Sequence, residues 1–434
     1  MIKDKKLFFS GILGTLLEYF DNALYGLLSA KLVPLYFPSE DKFTSTLVAF
    51  ASFALGYFIR PFGGLILGYV SDRVSRKKAF LISIYLMSGA SIIIGILPTY
   101  QTFGIWAPII LLTCRLIQGF SISSEYGTSV AWVLEQTSSK YQNFIGSLFC
   151  MMTFLGAVLG ALSASFFTSS FIPDWGWRIP FCLGGITGLV GFYLRKSVKE
   201  KRKFINKQSS FSLKQRINQL KNFICAVGIG ASAAAPFHMT LIYIYFIYIN
   251  DLGIPTSSVI LINGFILFLW SMLSPLMGYL ADQFGAKKLM ICSSIFMGGL
   301  IFLLSSLLEK LTFQSLLWFQ IIMTVIGSMF VAPTTGLLND AFSKTTKCRA
   351  FSVAYNLGNS LFGTTAPFFI LILGRHFQFF NTQGIYIFCT NIIGLLSVIF
   401  LKEIAPNKAK KSLTPTSGGD RRGRRSYSWP KCQQ

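Results

Sequence analysis

The chain has 434 residues, of which 53% are hydrophobic and only 13% charged, and its formal net charge at pH 7 is +23. So small a charged fraction cannot cover the surface of a soluble protein of this length. The composition therefore excludes an ordinary soluble enzyme or binding domain, and it indicates a protein that lies in a lipid bilayer.

Apolar stretches of about 18 to 25 residues recur along the chain, which is the length that a helix needs to cross a hydrocarbon core of about 30 Å. We predict about twelve such helices, six on each side of one hydrophilic stretch. The predicted spans are approximately residues 8–33, 47–70, 79–97, 105–129, 143–168, 178–194, 223–249, 256–281, 289–308, 313–338, 349–373 and 383–401. The predicted fold class is an all-α membrane protein with twelve transmembrane helices in two six-helix bundles.

The hydrophilic stretch also sets the domain boundaries. We predict an N-terminal six-helix bundle at 1–194, a basic cytoplasmic linker at 195–222, a C-terminal six-helix bundle at 223–402 and a disordered cytoplasmic tail at 403–434. The first apolar stretch is too long for a cleaved signal and lacks a small-residue cleavage site. We therefore expect it to remain as the first helix.

Lysine and arginine are concentrated in alternate loops. The basic segments are the N-terminus, the turn after the second span, the linker, Lys287 with Lys288, the stretch 344–349 and the tail. By the positive-inside rule, these loops and both termini lie on the cytoplasmic side. Topology accounts for the basicity better than nucleic-acid binding does, and an added attraction to anionic lipid stays open.

The sequence carries none of the common signatures of catalysis or metal binding. The eight cysteines are scattered without a close pair and there are two histidines, so we expect neither a disulfide framework nor a metal site. We find no phosphate-binding glycine loop and no nucleophile elbow. We therefore predict a protein that is not an enzyme, uses no cofactor and draws its energy from an ion gradient.

One polar turn occurs twice, between apolar stretches of each half, at Gly68 to Lys78 and at Gly278 to Lys288. The gating candidates in these turns are Gly68, Asp72, Arg73, Arg76 and Asp282. Glycine lets a helix approach closely, and the carboxylate can accept hydrogen bonds from backbone amides or pair with an arginine. We predict that each turn locks two helices on one side of the membrane, with fewer ion pairs in the second copy, where Gln283 and Ala286 replace arginines.

Further sequence blocks accompany the turns. They are Glu18-Tyr-Phe-Asp21-Asn22, Arg60-Pro61-Phe-Gly63-Gly64, Arg115-Leu-Ile-Gln118-Gly119, Asp174-Trp175-Gly176-Trp177-Arg178 and Tyr355-Asn356-Leu-Gly358. Together with the turns, these blocks resemble the major facilitator superfamily, in particular its metabolite:proton symporters. The resemblance implies the major facilitator fold and alternating access. Departures at Tyr19, Asn22, Ser123, Ser124 and Thr364 leave the solute open.

Ionisable side chains inside the predicted spans are costly unless they face a cavity or a partner, so they mark candidate sites. The proton-coupling candidates are Glu18, Asp21 and Glu125, and the substrate-binding candidates are Tyr25, Arg115, Gln118, Tyr126, Asn356 and Asn359. We predict that the polar stripes of the first and fourth spans face one pore. A carboxylate there can carry the proton, and a guanidinium can hold a substrate carboxylate.

Two ionisable residues are predicted to have structural roles, and one pair has a second interpretation. Arg60 is expected to reach towards the lipid headgroups, and His238 to pack at the helix kink that Pro236 makes. A static Arg115–Glu125 pair that holds the fold is the alternative to a substrate clamp.

The predicted function is secondary active transport of a small zwitterionic osmolyte or metabolite, such as proline or betaine, by proton symport. A dicarboxylate or other organic-acid proton symporter is the alternative within this class, and an aromatic cage would favour a betaine. A non-transporting membrane sensor is the alternative outside it. We expect a monomer in the bacterial inner membrane whose partners are a small-molecule substrate, a proton and the lipid bilayer, with no nucleic acid.

Overall fold

The structure is a computed structural model, and it describes residues 5–39, 42–124, 126–169, 171–196, 212–309, 312–343, 345–366, 370 and 382–402. Every secondary-structure element in these ranges is a helix, as the composition predicts. The predicted tail at 403–434 and residues 197–211 of the predicted linker lie outside the described residues.

The first half of the chain contains nine α-helices within the described ranges. They are α1 (Lys5–Tyr36), α2 (Lys42–Phe58), α3 (Arg60–Tyr69), α4 (Arg76–Ile96), α5 (Tyr100–Phe103), α6 (Trp106–Ile122), α7 (Ala131–Leu134), α8 (Gln142–Phe167) and α9 (Arg178–Lys196). A π-helical turn at Val70–Val74 follows α3, and another at Tyr126–Val130 precedes α7.

The second half contains eight α-helices within the described ranges. They are α10 (Leu213–His238), α11 (Ile244–Asn250), α12 (Thr256–Phe284), α13 (Ala286–Glu309), α14 (Phe313–Val331), α15 (Thr334–Ala341), α16 (Lys347–Gly358) and α17 (Thr382–Phe400). Helix α10 begins earlier than the predicted span at 223, because Ser212 and Gln215 form a reciprocal capping box that starts the helix inside the basic stretch.

Seven helical stretches of the described chain are long and apolar enough to cross a membrane. They are Ala51–Val74, Arg76–Ile96, Trp106–Leu134, Ser139–Phe167, Leu213–Leu241, Thr256–Phe284 and Phe313–Ala341. Helix α1 is 32 residues long, but Glu18, Asp21 and Asn22 lower its hydropathy. Large apolar side chains such as Phe62 and Phe400 remain exposed, which suits an outer face in lipid.

The two halves pack against each other along two helix pairs, α8 with α12 and α3 with α16. Cys150, Phe154 and Val158 of α8 form one buried apolar cluster with Leu267 and Trp270 of α12. The α3–α16 contact lies beside the first polar turn. These two pairs leave a space between the halves, and the site is built around it.

Candidate functional site

A cavity of about 200 Å³ lies between the two halves. Its polar wall residues are Tyr19, Asn22, Ser29, Tyr57, Arg60, Ser123 and Thr153 from the first half and His238, Tyr245, Asn263, Tyr355, Asn356 and Asn359 from the second. Both halves therefore contribute polar groups, which is the arrangement that a binding site between two moving bundles requires.

Arg60 supplies the one guanidinium among the described residues that line this cavity. It begins α3, directly before Pro61, and it is 4% exposed. Its Nη2 donates to Oδ1 of Asn22 at 3.0 Å, and the guanidinium carbon lies 3.6 Å from the ring centroid of Tyr57. The prediction that Arg60 reaches towards the headgroups is therefore wrong, because Asn22 and Tyr57 hold the side chain against the cavity.

Arg115 does not belong to the cavity wall, although we predicted that it holds a substrate carboxylate. It is 1% exposed, and its Nη1 donates to Oε1 of Gln118 at 2.8 Å. Gln118 Nε2 donates to Ser91 Oγ at 2.9 Å, and the carboxyl group of Asp21 lies next to the Ser91 hydroxyl. The guanidinium carbon of Arg115 lies 4.1 Å from the ring centroid of Tyr25. The structure thus joins four predicted residues in one buried network inside the first half.

Glu18 lies outside the cavity wall as well. It is 2% exposed, and its Oε1 accepts a long hydrogen bond of 3.4 Å from Ser83 Oγ on α4. The two predicted stripes therefore meet inside the first bundle and not at a shared pore. Glu125 and the side chain of Tyr126 lie outside the part of the chain that the structure describes.

Asn356 and Asn359 line the cavity, at the end of α16 and in the π-helical turn that follows it. Asn356 Nδ2 donates to the carbonyl oxygen of Ser123 in the first half at 2.8 Å, and Ser360 Oγ donates to the carbonyl oxygen of Tyr57 at 2.6 Å. These two hydrogen bonds cross between the halves beside the cavity.

His238 was predicted to pack at a kink, but it also lines the cavity. The ring is 1% exposed, and its Nδ1 lies 2.9 Å from the carbonyl oxygen of Ala234. Its ring centroid lies 5.4 Å from that of Tyr57. Pro236 just before it in sequence was the only signal of this position, and that signal does not distinguish packing from function.

Asp72 in the first polar turn reaches the second half. Its Oδ1 accepts from the backbone amide of Cys348 at 3.1 Å, and its Oδ2 accepts from that of Arg349 at 3.0 Å. These amides belong to the first turn of α16, where backbone donors lack partners inside the helix. We call this contact the first lock.

Asp282 makes the corresponding contact in the opposite direction. Its carboxylate accepts from the amides of Asn143 at 3.0 Å and Phe144 at 2.8 Å, in the first turn of α8, and from Asn143 Nδ2 at 3.0 Å. We call this contact the second lock. The two locks thus tie each repeated turn to the start of a helix in the other half.

The remaining gating candidates surround the first lock. Arg76 is 1% exposed and forms two hydrogen bonds of 2.8 Å with the Glu135 carboxylate. A Cβ atom added to Gly68 would lie 2.6 Å from Cα of Arg349, so this glycine is required for the close approach of α3 to α16. The side chain of Arg73 is exposed.

Comparisons with known proteins agree with this architecture. The family model described as "Sugar (and other) transporter" matches residues 7–204, and the model described as "Major Facilitator Superfamily" matches residues 228–427. A proline/betaine transporter of Salmonella typhimurium is 29% identical over 438 residues, covering 96% of this chain and 86% of the relative. An alpha-ketoglutarate permease of Escherichia coli is 29% identical over 368 residues, covering 83% of this chain and 85% of the relative.

Solved structures share the fold at lower identity. The proton:xylose symporter bound to 6-bromo-6-deoxy-D-glucose superposes with a TM-score of 0.75 at 16% identity, covering 91% of this chain and 94% of that chain. The human organic anion transporter MFSD10 superposes with a TM-score of 0.68 at 13% identity, covering 93% and 100%. The arrangement of helices around the cavity is therefore that of known membrane carriers.

Proposed function

The chain belongs to the major facilitator superfamily of membrane transporters, and we propose on this basis that it imports a small zwitterionic solute, such as proline or a betaine, together with a proton. The name of the Salmonella relative supports this solute class. We further propose twelve transmembrane helices, a monomer and a bacterial inner membrane. The concentration of lysine and arginine in alternate loops of the sequence favours cytoplasmic termini.

The observation that carries the proposal is the position of Arg60 in the cavity wall. A buried guanidinium is a strong partner for a carboxylate. Its Nε has no hydrogen-bond partner among the described residues, so a donor remains for a solute. In this proposal Arg60 holds the carboxylate, while Arg115 acts inside the first bundle.

The buried network of Asp21, Ser91, Gln118 and Arg115 is the proposed coupling element, and Glu18 is a second candidate. Uptake of a proton by Asp21 removes the negative charge at one end of the network. This weakens the electrostatic attraction between Asp21 and Arg115. Asp21 is adjacent in sequence to Asn22, which holds Arg60. A shift of α1 therefore connects the proton site to the solute site.

An organic-acid symporter is the second candidate function. The alpha-ketoglutarate permease is as similar in identity as the proline/betaine transporter, and Arg60 would bind a dicarboxylate equally well. The two candidates differ in what they require opposite Arg60, because a zwitterion also needs a group that accepts its cationic end.

Uptake by purified protein in proteoliposomes tests both candidates. With an imposed inward proton gradient, we expect accumulation of proline or glycine betaine that an uncoupler abolishes. Accumulation of alpha-ketoglutarate alone would favour the second candidate, and no accumulation of any of the three would overturn the proposal.

A variant of Arg60 tests the assignment of the carboxylate site, and a variant of Asp21 tests the coupling element. Arg60→Ala should raise the solute concentration for half-maximal uptake at least about tenfold, while the exposed Lys221→Ala serves as a matched control. Asp21→Asn should abolish proton-driven accumulation and retain exchange of solute at equal concentrations. If the solute concentration for half-maximal uptake is unchanged in Arg60→Ala, Arg60 does not hold the carboxylate and Arg115 becomes the candidate again.

A further inference from the structure

The second-half wall of the cavity presents a hydrogen-bond acceptor that the fold leaves unused. His238 Nδ1 faces the carbonyl oxygen of Ala234 at 2.9 Å, so in the neutral ring Nδ1 carries the hydrogen and Nε2 carries a lone pair. Nε2 is buried and has no hydrogen-bond partner among the described residues. A buried acceptor without a partner is costly unless a ligand or water satisfies it.

A second acceptor lies beside the first. Oδ1 of Asn359 is likewise buried without a partner in the described part of the chain, and Asn359 lines the same cavity. A Cβ atom built on Gly363 would lie 3.2 Å from both Asn359 Oδ1 and His238 Nδ1. The two side chains therefore lie close to each other beside Gly363.

The opposite wall has the complementary character. Arg60 belongs to the first half, and its Nε is a donor without a partner among the described residues. A cationic donor of the first half and neutral acceptors of the second half thus border the same cavity. A solute that bridges it needs a carboxylate at one end and N–H groups at the other.

Two aromatic rings of the cavity wall, Tyr57 and Phe237, are already engaged. The guanidinium of Arg60 lies over the ring of Tyr57 at 3.6 Å. Phe237 packs against Phe154, Trp270 and His238 with centroid distances of 5.6, 6.1 and 5.3 Å. A face that holds a protein cation or a neighbouring ring is less able to surround a quaternary ammonium.

We propose that His238 and Asn359 form a subsite for N–H donors, so that the carrier selects amino-acid or imino-acid zwitterions over their fully N-methylated counterparts. This inference rests on the proposed zwitterion transport. A quaternary nitrogen has no N–H, and its binding would leave both acceptors buried and unpaired. A secondary ammonium, as in proline, has two N–H groups, which matches the number of open acceptors.

A methylation series tests the subsite. Uptake of labelled proline into proteoliposomes is measured in competition with proline, N-methylproline and N,N-dimethylproline, which share one ring and one carboxylate. We expect inhibition to weaken with each methyl group, and the dimethyl compound to compete at least about tenfold less well than proline. Equal or stronger inhibition by the dimethyl compound would overturn the inference while leaving zwitterion transport intact.

Variants assign the discrimination to the two side chains. His238→Leu and Asn359→Leu should each reduce the ratio between proline and dimethylproline, whereas His238→Gln, which keeps an acceptor, should retain most of it. Asn391→Leu is the matched control, because this buried amide donates to the Ser294 carbonyl oxygen and does not line the cavity, and its ratio should not change. A preserved ratio in both leucine variants contradicts the subsite.

Failure of the proposed transport can be distinguished from failure of the selectivity for N–H donors. If wild-type protein accumulates none of proline, glycine betaine and alpha-ketoglutarate under a proton gradient, the proposed transport is wrong. If it accumulates glycine betaine and proline does not compete, transport stands and the selectivity for N–H donors is wrong.

Discussion

The two locks use the same contact but differ in what surrounds it. Asp72 and Asp282 each accept two amide hydrogens from the first turn of a helix in the opposite half. Arg76 and Glu135 form a bidentate ion pair beside the first lock. Ala286 occupies the position of Arg76 in the second turn, and there Asn143 adds a side-chain donor to the carboxylate.

The comparison shows which residues the two turns share, the carboxylates Asp72 and Asp282, and which differ, the groups that support each carboxylate. The first turn of any helix presents backbone donors whatever its side chains are, so a carboxylate opposite it is enough to make the contact. The supporting group can then be an ion pair in one half and an amide in the other. Four predictions test how far the two halves differ.

Removal of Arg76 should have the largest effect. Arg76→Ala leaves the Glu135 carboxylate without its bidentate partner, and we expect a loss of about 2 kcal/mol, because Arg76 is buried while Glu135 is partly exposed. The melting temperature of the purified protein should fall by several degrees. Lys31→Ala breaks an exposed ion pair with Asp174 and should change it little. Equal stability of Arg76→Ala and wild type would show that the pair does not support the first lock.

A methyl group at the glycine of each turn should have the next largest effect. In Gly68→Ala the new atom meets backbone, with Arg349 Cα at 2.6 Å. In Gly278→Ala it meets the hydroxyl and Cβ of Ser147 and also backbone, with the carbonyl oxygen of Asn143 at 2.8 Å. Overpacking costs about 1 to 3 kcal/mol, and we expect a loss in the lower half of that range at both turns, below that of Arg76→Ala.

Chemical modification of Cys348 can measure the opening of the first lock, because this residue is fully buried there. Labelling by a membrane-permeant maleimide, located by mass spectrometry, should rise several-fold in Gly68→Ala and less in Gly278→Ala. Gly89→Ala is the control, since an added Cβ there meets no atom within 4 Å. Greater labelling in Gly278→Ala than in Gly68→Ala would reverse the predicted order.

Neutralising each carboxylate should have an intermediate effect. Asp72→Asn removes the charge that faces the start of α16 and places an amide donor against backbone donors, which costs about 1 kcal/mol. We expect slower uptake at normal membrane insertion and higher labelling of Cys348, whereas Asp282→Asn should slow uptake without raising that labelling. An unchanged turnover of Asp72→Asn would remove its gating role.

The smallest effect is expected at Asn143. Asn143→Ala removes one of three donors to Asp282, and such a bond contributes about 0.5 to 1.5 kcal/mol. In a double-mutant cycle based on melting, Asn143→Ala should be non-additive with Asp282→Asn and additive with Asp72→Asn. Additivity with both would mean that Asn143 does not support the second lock.

The repeated turns could be predicted from the sequence, but their partners could not. The glycine and the carboxylate recur in the same pattern, and the choice between backbone amides and an arginine was left open. The amides that Asp72 binds lie at Cys348 and Arg349, far along the chain, and backbone donors leave no signature in side-chain identity. The fold follows from hydropathy, whereas a contact of this kind depends on how the halves dock.

The solute site was predicted less well, for a related reason. Hydropathy gives the depth of a charge in the membrane but not the direction in which it points. Arg60 was assigned to the headgroups, although Pro61 starts a new helix there and Asn22 holds the guanidinium inside. Arg115, Gln118 and Asp21 are predicted to face one pore, whereas the structure places them inside the first bundle and away from the cavity.

The locks also make the carrier's conformational cycle measurable without any added label. The amide hydrogens of Asn143, Phe144, Cys348 and Arg349 are protected only while the carboxylates hold them. Each separation of the halves would let these hydrogens exchange with solvent deuterium. The ratio of the exchange rates at the two helix starts would then report whether the two locks open in concert or one opens first.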